Sequence, residues 1–241
     1  ALGLSAITGK DVTVENIRSS RPNPGLQEQH LQGVLAIQKL CNAEVEGAKK
    51  GSTKIIFKPS KIISGDLEVE IRTAGSVGLI LQILLIPAIK TDLNIYINGG
   101  GTYGKFAPPI HHFQYIFLPL LKKMKYDARV NIIKHGFFPK GGARVSVHSD
   151  IADLKPLHIP EKGKIVSMKI ISIAEESLIE KKVAERQAEK AKELLSKHFS
   201  LPIEIDTKIE YVSALNPGSG LQLILETEHS LIGGDSLGER G

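Results

Sequence analysis

Residues 7–17, ITGKDVTVENI, resemble residues 89–99, IKTDLNIYING, and in both the apolar positions alternate over the second half of the stretch. Alternation with a period of two is the pattern of a strand with one buried face. The likeness extends further, because Ala43-Glu44-Val45 after one helical segment corresponds to Ala128-Arg129-Val130 after another, 85 positions on. Helical periodicity covers about 25–41, 75–89, 109–125 and 177–198, and strand-like runs such as TKIIFKP, LEVEIR and ARVSVHS stand between. The spacing predicts an α+β chain of repeated units, each a helix, a strand, a helix and then two or three strands. A block of that size is too small to stand comfortably alone, so the repeats are expected to share one core.

The texture changes after LKPLHIPEKGK, residues 154–164, with its proline and glycine punctuation. A strand at 165–173 leads into a charged helix and the strands IEIDTKIE and LQLILETE, which divides the chain into a large domain, 1–168, and a second, smaller α/β domain, 169–241. In EKKVAERQAEKAKELL opposite charges stand three or four apart, the pattern of a solvated face rather than of an RNA contact. Its apolar stripe is Val183, Ala184, Ala188, Ala191, Leu194 and Leu195.

A chain of 241 residues can bury a substantial core. No stretch reaches the roughly 18 uninterrupted apolar positions of a membrane span, and the N-terminus lacks the succession of a signal peptide. A soluble, cytoplasmic protein is expected. The opening ALGLSAITGK begins inside a helical pattern, which predicts further sequence upstream. A single cysteine, Cys41, excludes an internal disulfide and a cysteine-based zinc cluster, and reads as a core residue of its helix. Thirty-one basic against 26 acidic side chains leave a net charge of +5, which favours polyanionic partners without specifying one.

Candidate chemistry concentrates in four segments. In IRSSRPNPGLQEQHL, residues 17–31, a strand ends, Asn23-Pro24-Gly25 turns and a helix begins, so Arg18 and Arg21 can grip an anion beside free helix amides. Gln29 and His30 follow in the first turns, facing the same pocket or packing half-buried. In RTAGSVGLILQILLIPAI, Thr73 to Ser76 make a small-residue entrance suited to phosphate, and Gln82 interrupts the apolar run. A buried amide needs a partner, so Gln82 either satisfies a backbone group or faces a ligand.

NGGGTYGKFAPPIHHF nearly spells a phosphate loop of the form GxxxxGK, but Phe106 stands where a serine or threonine must hold magnesium, and Ala107-Pro108-Pro109 follows where a helix should already run. The glycine-rich loop is expected to shape a pocket wall instead, with Pro108 and Pro109 setting the start of a helix that carries His111 and His112. Adjacent histidines project about 100° apart on a helix and make a poor metal pair. KHGFFPKGGARV, with Lys134, His135, Lys140 and Arg144, is a basic loop able to hold single-stranded RNA by charge and by stacking, unless Phe137 and Phe138 are core.

Taken together, RPNPGLQEQHL, TAGSVGLILQ, the GG-to-APP loop, HGFFPKGGARV, VAERQAE, NPGSGLQL and the terminal LGERG resemble the RNA 3'-terminal phosphate cyclases in order and spacing. The resemblance implies βαβαββ blocks of the enolpyruvyl transferase kind and a smaller inserted domain. It implies ATP and a divalent metal (Mg or Mn) as cofactors, and as partner an RNA with a 3'-phosphate end. A histidine takes AMP from ATP, AMP passes to the RNA phosphate, and the neighbouring 2'-hydroxyl closes a 2',3'-cyclic phosphate.

Matched by position, Arg18, Arg21 and Gln29 look like phosphate-site residues, Gln82 like a nucleotide- or metal-site residue, and Pro108 like part of the adenine pocket. His112 falls where the family often has an aromatic. The family's metal-binding glutamate and nucleophilic histidine correspond to no residue of this chain, so the catalytic residue stays unassigned and the chain is expected to be an incomplete stretch of such an enzyme. The alternative is a cyclase-like ribosome biogenesis protein that binds RNA without nucleotidyl transfer.

Overall fold

The computed structural model describes residues 1–199 and 204–239. Arg240 and Gly241 of LGERG, and Ile203 at the start of IEIDTKIE, lie outside the described residues. The fold is α+β, with three sheets and helices packed on them.

The first block runs α1 (Leu2–Thr8), β1 (Val12–Val14), α2 (Glu28–Cys41), β2 (Glu44–Glu46) and β3 (Ile55–Lys58), with strand order β1-β3-β2, all antiparallel. The second runs β4 (Gly65–Ser76), α3 (Val77–Ala88), β5 (Leu93–Gly101), α4 (Ile110–His112), a π-helical turn (Phe113–Phe117), α5 (Leu118–Lys123), β6 (Ala128–Lys134) and β7 (Arg144–Ser149), with order β4-β5-β7-β6. Strands β5, β7 and β6 are connected and paired as β1, β3 and β2 are, with β4 added in parallel at one edge.

In β5 the side chains of Leu93, Ile95 and Ile97 are buried while Tyr96 and Asn98 face water, so one face of the sheet carries the core. Helix α3 is apolar on nearly every side because it sits between α1, α2 and that sheet. Cys41 is fully buried beside Ile37 and Leu40 of α2.

The third unit is β8 (Ile165–Glu175), a short 3-10 turn (Glu176–Leu178), α6 (Val183–His198), β9 (Ile205–Val212), β10 (Ser219–Thr227) and β11 (Leu231–Leu237), with order β11-β10-β8-β9. Strand β8 begins at Ile165, so a division between residues 168 and 169 falls inside it. Ile170 to Ala174 are all buried because both faces of β8 are covered. Ile171 and Ile173 pack toward the second block, against Ile116 and Tyr103 respectively, while Ser172 turns to Gln187 of α6.

The π turn serves both cores. Its Phe113 belongs to the large apolar cluster, and Ile116 of the same turn joins Ile171 and Ile224 of the third sheet. A π turn adds a residue to the helical repeat and so swings the side chains between faces. Two glycines of β10 and its approach complete the joint. A Cβ on Gly220 would lie 2.4 Å from the Tyr103 ring, and one on Gly218 would lie 2.2 Å from Phe137.

Candidate nucleotide and RNA site

A cleft of about 2110 Å³ lies between the second block and α6. Gln29, Ala74 and Ser76 form one side. Ser76 caps α3, its Oγ accepting from the Leu79 amide at 3.3 Å. Gly78 brings that helix start against the APP loop, since a Cβ there would stand 2.7 Å from the Pro108 carbonyl oxygen. Gln29 reaches the same mouth, in contact distance of Gly75.

Opposite them stand Lys181 and Arg186, with Lys105 on the glycine-rich loop. None of these three cations forms an ion pair among the described residues. The charged helix therefore turns part of its polar face to a cleft rather than to open solvent, and Leu194 of its apolar stripe borders that cleft at 47% exposure. The sequence pattern could not distinguish a face that meets water from one that meets a groove full of water.

A second pocket of about 1050 Å³ adjoins the first through Gly104 and Lys105. Pro108 and His112 meet there with Phe106 and Asp235. His112 Nδ1 is buried and has no hydrogen-bond partner among the described residues. Burial lowers the His112 pKa against the pull of Asp235, and burial raises that of Asp235.

The arginine-rich turn is held by its own first arginine. Arg18 adopts a left-handed backbone (φ 54), and its Nη1 donates to the carbonyls of Asn23 at 2.5 Å and Gly25 at 3.1 Å. Arg21 is exposed. His30 acts as a cap for α2: its Nδ1 accepts from the Gln27 amide at 3.2 Å, which answers whether it packs or binds with a third role. Neither arginine lines the two pockets, and neither does Gln82. The premise that Gln82 is a buried amide fails, because its side of α3 is exposed.

The basic loop divides. Phe138 is 79% exposed at the cleft edge, and the Lys140 amide donates to Asn216 across it. Lys134 pairs with Arg144 at the ends of β6 and β7, outside the cleft. Phe137 and His135 are buried, so His135 is withdrawn from the surface that an RNA can touch.

His135 instead joins a buried polar cluster with His111, Tyr103 and Thr102. Burial and the neighbouring His111 lower the His135 pKa to about 3, and burial, opposed by Glu210, lowers that of His111 to about 4. Both are neutral at neutral pH. Because the unfolded chain binds these protons more readily, the stability they confer is whole above pH 6.5 and is lost as pH falls toward 4 and then 3. In chelator-treated protein the free energy of unfolding is expected to fall by up to about 1.4 kcal/mol per pH unit for each histidine in that window. Urea titrations at a series of pH values check it, and His135→Gln should flatten the slope.

In this α+β chain the unpaired cations Lys105, Lys181 and Arg186 stand in one cleft among Glu189, Glu193 and Glu239, and the orphaned His112 nitrogen stands in the adjoining pocket. The family is given by comparison with known proteins: the RNA 3'-terminal phosphate cyclase model matches residues 1–226, and this chain belongs to that family. The chain is similar to an RNA 3'-terminal phosphate cyclase of Saccharolobus islandicus, 40% identical over all of this chain and 70% of the relative. A Thermococcus gammatolerans protein of the same name is 41% identical over all of this chain and 69% of the relative. That of Thermococcus kodakarensis is 38% identical, again over 69% of its length. Among the described residues no helix is long and apolar enough to cross a membrane.

Proposed function

We propose that this chain holds ATP and an RNA 3'-phosphate end for conversion of that phosphate to a 2',3'-cyclic phosphate. The observation that carries the reading is the match of the whole chain to relatives named for that activity. The groove supports it. Lys105, Lys181 and Arg186 of the cleft suit phosphates, and the orphaned His112 Nδ1 beside Pro108 in the adjoining pocket suits a ring with hydrogen-bonding edges.

In this reading Pro108 and His112 bound the nucleobase, and Gln29 with the capped start of α3 faces phosphate. Arg21 offers an exposed guanidinium to a phosphate, while Arg18 holds the turn that presents it. Phe138 and Lys140, with Lys134 and Arg144 behind them, receive the RNA strand by stacking and charge. ATP, when bound, supplies an adenylyl group that makes a phosphate a better electrophile. A divalent ion that accompanies it takes most of its ligands from phosphate oxygens and water, so its place follows the nucleotide.

The block Gly65–Ser149 and the like-ordered first block support an arrangement of the enolpyruvyl transferase kind, with a smaller domain that starts ahead of Ile165. The test uses the protein with its natural flanking sequence, a labelled RNA ending in a 3'-phosphate, ATP and magnesium. The RNA end is expected to become resistant to phosphatase only when ATP is present. An end that stays phosphatase-sensitive, on a protein that binds 3'-phosphate and 3'-hydroxyl RNA equally, would overturn the reading.

A further inference from the structure

We propose that His111, His135 and Glu210 form a binding site for one divalent transition-metal ion of the zinc and cobalt type, joining the second block to the third sheet. The three come from α4, the β6–β7 loop and β9, and one ligand atom from each lies within 4.8 Å of the others. Both histidines are buried and Glu210 is partly so. This is the one such grouping of three histidine, cysteine or carboxylate side chains among the described residues.

The hydrogen bonds around it show which atoms are available. Thr102 Oγ1 lies 3.0 Å from His135 Nδ1 and 3.2 Å from the Gly136 carbonyl oxygen, and it accepts from the Gly136 amide at 3.3 Å. With the Thr102 proton directed to the Gly136 carbonyl, His135 carries its own proton on Nδ1 and Nε2 is the ligating atom. Tyr103 engages His111 Nδ1 at 2.7 Å, and His111 Nε2 faces Glu210 Oε2 at 4.0 Å. Metal-binding histidines carry this outer arrangement, with one ring nitrogen held by an oxygen and the other on the ion. Neutral imidazole is the ligating form, and both rings are kept neutral by burial.

Four-coordinate ligands about 2.0–2.1 Å from an ion stand about 3.3 Å from one another. Glu210 closes the remaining gap by exchanging its ion pair with exposed Lys208 for the metal. Two imidazoles and one carboxylate leave a fourth position for water and favour zinc, cobalt or nickel over magnesium. The site therefore differs in chemistry from that of a phosphate-bound magnesium ion.

The test is a titration of the untagged, chelator-treated chain with cobalt(II). One equivalent per chain is expected to give the intense visible bands of four-coordinate cobalt, which zinc then abolishes, and zinc should also raise the melting temperature. Glu210→Gln and His135→Gln should each weaken cobalt binding by about 100-fold, and Thr102→Val, which removes the hydroxyl beside His135 Nδ1, by about 10-fold. Substitution of exposed His198 should change nothing. Where His135→Gln fails to fold, Glu210→Gln decides. Weak bands of six-coordinate cobalt, no bands, or bands of unchanged affinity in Glu210→Gln would overturn the proposal.

Discussion

Replacing Gly99 with alanine is expected to lower the free energy of unfolding by about 3 kcal/mol or more. Gly99 has φ 91, a backbone region that side chains disfavour, and an added Cβ would stand 1.9 Å from the Ile71 carbonyl oxygen in the paired strand β4. That neighbour is backbone within a sheet and cannot step aside as a flexible side chain does. The Gly99 amide also donates to the Ala143 carbonyl at 2.7 Å, so a shift there disturbs β7 as well. Thr102 and Tyr103, three and four positions on, carry the contacts to His135 and His111. Urea titration followed by circular dichroism measures the loss. A variant within 1 kcal/mol of the parent (about a fivefold change in equilibrium) would show that the sheet relaxes there.

Removing the three free cations of the cleft, Lys105, Lys181 and Arg186, is expected to weaken RNA binding about 10- to 100-fold at moderate salt. Each phosphate contact on a single strand contributes about −0.7 to the slope of log affinity against log salt, so the triple alanine variant should flatten that slope by about 2. Lys134→Ala with Arg144→Ala, outside the cleft, should change it less. Fluorescence anisotropy on a short labelled RNA across a salt series gives both numbers. An unchanged slope in the triple variant would take the RNA out of this groove.

The sequence made the main frame legible wherever one physical pattern decided an element. Alternation in LNIYING and the apolar run of α3 each point to a single packing environment, and both formed as expected. Strand β8 was legible as a strand, but its sequence neighbours could not show that two different partners cover its faces. The π turn was invisible, because FQYIF satisfies helical periodicity equally well and only the demand of two cores draws out the extra residue.

The site was legible in part for a related reason. Pro108 and His112 lie close in the chain and share a pocket, whereas the local expectations that Gln82 is buried and His135 exposed were both reversed by long-range packing. Gln82 interrupts the apolar run on the exposed side of α3, so its amide needs no buried partner. A histidine in a basic loop signals a surface, yet His135 turns inward because Thr102 and His111, some 33 and 24 positions away in the chain, supply its polar company. Glu210, whose carboxylate lies within 4.8 Å of both imidazoles, comes from β9 and could not be paired with either histidine by spacing.

The aromatic rings of Tyr103 and Phe137 seated over Gly220 and Gly218 act as a mortise joint. Such a joint resists being prised open, because separation would have to draw both rings out of notches that only glycine leaves. Tyr103 and Phe137 also line the cleft, so the joint that seats the third sheet on the second block holds part of the cleft wall in place.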